Sequence, residues 1–485
     1  MRKITLFALA LAVLLAACGV SPSPSPAGSP SPSSSPSSSQ ASPGESPSGS
    51  APSQPGDPSP SDTDPTQSGE PAPSAGEPSP SPQDSPSPSP SPSPSPSPSP
   101  SEQRPPSPSP SPSPSPSPSP SAAPPTNVSL KDVYAPIFGH IGAATYNYHW
   151  ATPTVMQGEP LAFTLKHYNS VTPENEMKPD YIVGNTLITV QEAAQRGYHI
   201  PADYAETHVP ELNIDRINRF LKIAYENNLG VRYHTLVWHS QTPERLFKEG
   251  YAAGGSDVAR EVMERRLEMY VKSVIKLVYQ GPYGGVVYAW DVVNEHLHSN
   301  RQGGWNRIYG NKNDFVVSAF KYAHEALTEL GLRERVSLFY NDYNEYEVTG
   351  GIISLIGEIN AEGRYCDGVG MQMHLDVSYP SVAAIGTTID RFQAEGYEIQ
   401  ITELDVTLNG QWSSGTRTEA DQAAYYGALF KLLADKKKAG ANITSVTMWG
   451  LHDGMSWRGR YTPLLFSAVD TPKAALYNAV IAAAS

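Results

Sequence analysis

A (β/α)₈ barrel, an α/β fold of the TIM type, is predicted for residues 126–485, and three observations predict it. Eight short apolar, β-branched runs recur along this part of the chain. Helix-length amphipathic segments separate them, which is the rhythm of a parallel α/β fold. Most runs also end in polar and aromatic residues, as barrel strands do where their C-terminal ends open on a site. A doubly wound open sheet is the competing architecture, but no Gly-rich phosphate loop follows the first run.

The first run is 138–146, and the second, 170–176, ends in Pro173-Glu-Asn-Glu-Met-Lys178. The third, 231–239, closes on His234-Thr-Leu-Val-Trp-His239, and the fourth, 287–295, on Asn294-Glu295. The fifth, 336–344, ends in Tyr340-Asn-Asp-Tyr-Asn344, and the sixth, 368–376, in Gln372-Met-His-Leu-Asp376. Run 398–405 ends in Glu403-Leu-Asp405, and run 445–453 in Trp449-Gly-Leu-His-Asp453. Amphipathic helices are expected over 213–228, 256–280, 313–330 and 419–438, and Gly331 is placed to cap the third of these.

Composition divides off two further parts. Arg2 and Lys3 precede an apolar run from Ile4 to Leu15, so residues 1–17 read as a secretory signal, too short for a permanent membrane span. The signal ends in Leu15-Ala-Ala-Cys18, which resembles a bacterial lipoprotein box. The resemblance implies that Cys18 becomes a lipidated N-terminus and that the protein faces outward from the cell surface, with secretion as the alternative. Residues 18–125 are nearly all Ser, Pro, Gly and Ala; with no aromatic residue they cannot bury a core, and a disordered linker is expected. Proline at alternate positions makes it a semi-rigid spacer reaching at most roughly 300 Å. Cys366 is the only other cysteine, so no structural disulfide is expected.

Of the net charge of −14, the linker carries −7 and the signal +2, which leaves −9 on residues 126–485. An acidic domain repels phosphate backbones, so nucleic acid is not an expected partner. A neutral polysaccharide meets no such barrier. Glu295 and Glu403 each end a buried-strand pattern, and two convergent carboxyls are what glycosidic cleavage needs.

The motifs His167-Tyr-Asn-Ser-Val-Thr-Pro-Glu-Asn-Glu-Met-Lys178, His234-Thr-Leu-Val-Trp-His239, Trp290-Asp-Val-Val-Asn-Glu295, Asp367-Gly-Val-Gly-Met-Gln-Met-His374 and Thr402-Glu-Leu-Asp405 follow one another in order. Together they resemble glycoside hydrolase family 10, whose members are mostly endo-1,4-β-xylanases. The resemblance implies retaining hydrolysis of xylan, with Glu295 as acid/base and Glu403 as nucleophile. Carboxyls about 5 Å apart would favour the covalent route, and about 6.5–9.5 Å an inverting water. It further implies that Asn294 bonds the sugar 2-hydroxyl and that His374 bridges Glu403 and Asp405. Trp449 and Trp457 would pack on sugar faces, Glu174, Asn175 and Lys178 would grip hydroxyls one ring out, and His234, Trp238 and Gln372 would line the central subsite. Tyr343 would serve the leaving-group side. A monomer without cofactor or metal is expected.

His296 and His298 are spaced to share a strand face, a pattern that invites zinc, but no third ligand stands at metal spacing. Tyr233, His452, Gly454 and Met455 depart from the family pattern, and the stretch from Asp180 to Gly230 is longer than usual, as a lid, a subsite wall or a loop. Two other readings stay open: the same machinery acting on a glucan, and a non-catalytic carbohydrate-binding barrel.

Overall fold

The computed structural model describes residues 128–145, 156–410, 413 and 415–485. The signal of 1–17, Cys18 and the linker of 18–125 lie outside these residues. The described chain opens with a helix, Leu130–Phe138, whose Ser129 Oγ accepts from Asp132 N at 3.1 Å and so satisfies an amide the helix cannot.

Eight parallel strands then follow: β1 His140–Thr145, β2 Ser170–Pro173, β3 Gly230–Tyr233, β4 Val287–Asn294, β5 Ser337–Asp342, β6 Gly368–Met371, β7 Glu398–Thr407 and β8 Ile443–Met448. Each pairs with the next, and β8 pairs back onto β1, so the sheet closes. Eight helices wrap it: α1 Gly158–His167, α2 Ile214–Glu226, α3 Arg260–Gln280, α4 Asp314–Glu329, α5 Glu345–Ile359, α6 Val382–Ala394, α7 Glu419–Lys438 and α8 Ala474–Ala482. This is the predicted (β/α)₈ barrel.

The bounds of α7 match the expected ones, because Thr418 and Asp421 cap each other's backbone amides in a capping box. The cap after α4 also falls where expected: Gly331 takes φ 68°, a conformation that costs glycine nothing. The strands differ from expectation at their C-terminal ends. The third and sixth runs are each broken, resuming as Val237–Trp238 beside β4 and His374–Asp376 beside β7. The breaks fall at His234–Leu236 and Gln372-Met373, and Met373 sits at φ 56°. β2 stops at Pro173, β4 at Asn294, β5 at Asp342 and β8 at Met448, each short of the end of its expected run, while β7 runs on to Thr407.

The stretch after Asp180 is folded. Val183–Thr189 and His208–Leu212 form an antiparallel hairpin, with the short helix Val190–Gln195 between them. Arg245, in the loop after β3, donates to the carbonyls of Val183 and, at 2.7 Å, Gly184, which ties the hairpin to the barrel rim.

The barrel interior is polar at its centre. Arg232 on β3 grips Asp291 on β4 with both terminal nitrogens and donates Nε to Gln400 Oε1 on β7 at 2.8 Å. Gly370 gives this layer room, since a Cβ there would lie 2.3 Å from Asn341 Oδ1. Two fully buried charges that satisfy each other are stable as a pair and costly apart. Arg232→Met should therefore lower stability by about 3–5 kcal/mol. A denaturant midpoint equal to that of the wild type would show that the pair does not hold the barrel.

Candidate active site

Glu295 is the first residue beyond β4, and its backbone is left-handed at φ 54°. A non-glycine residue stays in that region only when its surroundings hold it there. Its amide donates to Asn341 O at 2.9 Å, and its carboxyl is held at both oxygens. Oε2 accepts from Trp238 Nε1 at 2.8 Å, and Oε1 from Gln372 Nε2 at 2.9 Å.

Glu403 lies within β7, buried. Its Oε1 accepts from Asn341 Nδ2 at 2.8 Å, and its Oε2 lies 3.2 Å from His374 Nε2. An amide relay joins the two carboxyls. Gln372 Nε2 and Asn341 Nδ2 both donate to Asn294 Oδ1, at 3.2 and 2.8 Å, while bonding Glu295 and Glu403 respectively.

The same surroundings treat the two acids oppositely. Burial raises the Glu295 carboxyl above its ordinary value, and the nearby charges of Asp342 and Glu403 push the same way against Gln372 and Trp238. Burial also acts upward on Glu403, but the pull of His234 and His374 and the hydrogen bonds from His374 and Asn341 overcome it, and Glu403 is held down to about 2. His374 is lifted to about 9, because Asp405 and Glu403 outweigh the burial that would lower it. At neutral pH one glutamate holds its charge while the other is biased toward its proton.

Asp405 gathers the next layer. Its carboxylate faces His374 Nδ1 at 3.0 Å and accepts from Arg458 Nη1 at 2.5 Å and Trp457 Nε1 at 3.2 Å. The expected bridge of His374 between Glu403 and Asp405 is thus present. His234 Nδ1 lies 2.9 Å from Asp291 Oδ2, and Trp449 stands edge-on to both His234 and His374. Trp449 is buried, whereas Trp457 is 63 % exposed.

Lys178 Nζ donates to Asn175 Oδ1 at 3.2 Å and to Gln241 Oε1 at 3.0 Å, and it sits 4.9 Å above the Trp238 ring. Beside it, burial raises Glu174 to about 7 against the opposing charge of Lys178. Tyr343 stacks on His298 at 4.1 Å, and His298 Nδ1 lies 2.7 Å from Asp342 Oδ1.

The shared strand face expected for His296 and His298 is not found. Both follow β4, and the left-handed Glu295 turns the chain before them. His296 pairs with Asn313 and His298 with Asp342, and among the described residues no three metal-type side chains group together. Sequence reasoning assigned no role to Asn341, Asp342, Gln241 or Arg458. Asn341 and Asp342 stand inside the polar end of the fifth run, and Arg458 directly follows Trp457, so adjacency is the available signal.

The family model for glycosyl hydrolase family 10 matches residues 129–483. The chain belongs to glycosyl hydrolase family 10. Endo-1,4-β-xylanase A of Butyrivibrio fibrisolvens is 40% identical over 361 residues, 73% of this chain and 84% of that protein. The bifunctional endo-1,4-β-xylanase XylA of Ruminococcus flavefaciens is 36% identical over 66% of this chain, which spans 31% of that longer protein. Among solved structures, the endo-1,4-β-xylanase of Caldicellulosiruptor owensensis has a TM-score of 0.55 at 31% identity, covering 73% of this chain and 99% of its own. The Clostridium thermocellum xylanase 10B modules, complexed with xylohexaose, have a TM-score of 0.59 at 31% identity, covering 73% and 67%. This family 10 chain is thus a glycoside hydrolase whose relatives are endo-1,4-β-xylanases.

Proposed function

We propose that this family 10 hydrolase is a retaining endo-1,4-β-xylanase in which Glu295 is the acid/base and Glu403 the nucleophile. The observation that carries the roles is the opposite electrostatic treatment of two glutamates joined by one amide relay. The substrate rests on the relatives named above and on the xylohexaose bound by the Clostridium thermocellum neighbour.

In the first step the Glu403 carboxylate bonds to the anomeric carbon as the bond to the leaving oxygen breaks. The proton of Glu295 passes to that oxygen. In the second, the Glu295 carboxylate takes a proton from water, whose oxygen attacks the anomeric carbon and releases Glu403. Asn294 spends its Oδ1 on Gln372 and Asn341, which leaves Nδ2 as the donor offered to the sugar 2-hydroxyl. His374, held by Asp405, keeps Glu403 ionised and oriented. Trp449 and Trp457 would face one sugar, Glu174, Asn175 and Lys178 the next, His234, Trp238 and Gln372 the central ring, and Tyr343 the departing one.

The enzyme acts as a monomer, and it is held at the cell surface by lipid on Cys18 with the proline-rich linker as spacer; the Leu15-Ala-Ala-Cys18 pattern and the linker composition support the attachment. The test is the anomeric configuration of the first products from unbranched xylan, followed by proton NMR before mutarotation. The β-anomer should form first, and faster than any product from a mixed-linkage glucan. Initial release of the α-anomer would overturn the mechanism, and faster glucan hydrolysis the substrate.

A further inference from the structure

The segment Gln372-Met373-His374 serves both glutamates, one side chain reaching Glu295 and the other Glu403. Its position is therefore a shared control on the pair. On one side β7 holds it: Glu403 N donates to Gln372 O at 3.1 Å and Asp405 N to Met373 O at 3.3 Å. On the other side Gln372 N donates to Asp342 O at 3.0 Å, and Met373 N points at a carboxyl, Glu345 Oε1, at 3.4 Å. Met373, between the two side chains, is left-handed at φ 56°, so something must hold it.

Glu345 is the first residue of α5 and is fully buried. Its Oε2 meets no hydrogen-bond partner among the described residues. A buried carboxyl with one oxygen that meets no hydrogen-bond partner is an unusual choice for a structural cap.

We propose that Glu345 is a positioning residue for the acid pair, fixing through Met373 N the backbone that delivers Gln372 to Glu295 and His374 to Glu403. This rests on the reading of those two glutamates as the reacting pair. Glu345 acts as a neutral acid. A helix N-terminus favours an ionised carboxyl, but burial wins here and, with the charge of Asp342 adding to it, pushes Glu345 up to about 8, against its own backbone amide and those of Met373 and Gln372. The groups that interact with it are Asp342 at the end of β5, His298 in the loop after β4, Tyr346 and the Glu345 amide on its own helix, and the Met373 and Gln372 amides after β6. Above about pH 8 it becomes an anion facing the Asp342 charge, and the segment it holds loosens. Activity then falls on the alkaline side for a reason separate from Glu295.

The sign of the stability effect follows. A carboxyl raised from 4.5 to about 8 carries no penalty below pH 4.5. The penalty grows as the unfolded chain ionises, and it levels off above about pH 8.

The test uses the full chain with xylohexaose, reading kcat and KM from pH 5 to 10, with thermal unfolding alongside. Glu345→Gln keeps an acceptor and cannot ionise. It should hold kcat within about twofold at pH 6, move the alkaline midpoint upward, and gain in Tm over the wild type as pH rises from 5 to 8. Glu345→Met keeps the bulk without the acceptor. It should lower kcat about tenfold or more with KM within about twofold, since small misplacements of reacting groups cost rate rather than binding. A wild-type kcat in Glu345→Met, or an unmoved alkaline midpoint in Glu345→Gln, would overturn the proposal; if the Met variant fails to fold, the Gln profile alone decides. An active Glu403→Ala would instead overturn the underlying reading, so the two failures are distinguishable.

Discussion

Glu403→Ala should reduce xylan hydrolysis by on the order of 10⁴-fold or more while the barrel stays folded, the scale seen when a nucleophile or its orienting partner is removed. The site explains why no neighbour substitutes. Asp405, the next carboxylate, is fully buried and already shared among His374, Arg458 and Trp457. The loss should also be partly recoverable. Removing the side chain should open space on the face from which Glu403 is proposed to attack, and a small anion such as azide should enter it. With a substrate carrying an activated leaving group, azide should restore turnover and yield the α-glycosyl azide, the product of a single displacement. A β-azide would mean that Glu403 is not the attacking group. A second readout is independent of turnover: Glu403 is one of the charges that lift His374 to about 9, so in the alanine variant the His374 ring should titrate lower. Histidine NMR of both proteins checks this, and an unmoved titration would contradict the coupling on which the nucleophile's ionisation depends.

The carboxyl pair was legible in the sequence because strand ends declare themselves. The apolar run that stops at Asn294-Glu295 changes character within two residues, and a barrel converts that change into a location, whereas Glu403 stands inside β7 and is marked by the acids that interrupt its apolar run. The shape of the strand ends was less visible. Nothing in the string marks where β3 and β6 break, since the breaks depend on tertiary contacts such as the bond of Met373 N to Glu345. The polar layer of Arg232, Asp291 and Gln400 was hidden for a different reason. Each of these residues sits singly inside an apolar run, and the partners lie 59 and 168 residues from Arg232 along the chain. Only the closed sheet brings them together. The hairpin between Asp180 and Gly230 is not legible because its first strand, Val183–Thr189, buries only Val183 and Ile188 and shows weak alternation. Asn341 is the most instructive omission. Its strand-end position was noted, but an amide earns a role only through what it bonds, and its partners are Asn294 on one neighbouring strand and Glu403 two strands away.

Glu295→Gln should behave differently from the nucleophile variant, and the difference tests the division of labour. General acid catalysis contributes typically 10²–10⁴-fold, and it matters most when the departing oxygen is a poor leaving group. On xylan, where that oxygen belongs to another sugar, the loss should fall in this range. With a dinitrophenyl leaving group no proton is needed, so the first step should run at nearly the wild-type rate. The second step would still lack its base. A burst of dinitrophenol followed by slow turnover is therefore expected, with the covalent intermediate visible by mass spectrometry as one added glycosyl unit on Glu403. The pH profile gives the complementary signature. In the wild type, kcat/KM on xylan should fall on the alkaline side as Glu295 loses the proton that burial, Asp342 and Glu403 bias it to keep. In Glu295→Gln that contribution to the alkaline limb should vanish for the activated substrate, and any limb that persists would report another group, Glu345 being the one placed to supply it. Equal losses on xylan and on the dinitrophenyl glycoside, with no burst, would mean that Glu295 merely shapes the cleft. The left-handed backbone at φ 54° and the two donors from Trp238 and Gln372 would then be holding a structural carboxylate, and the acid would have to be sought elsewhere.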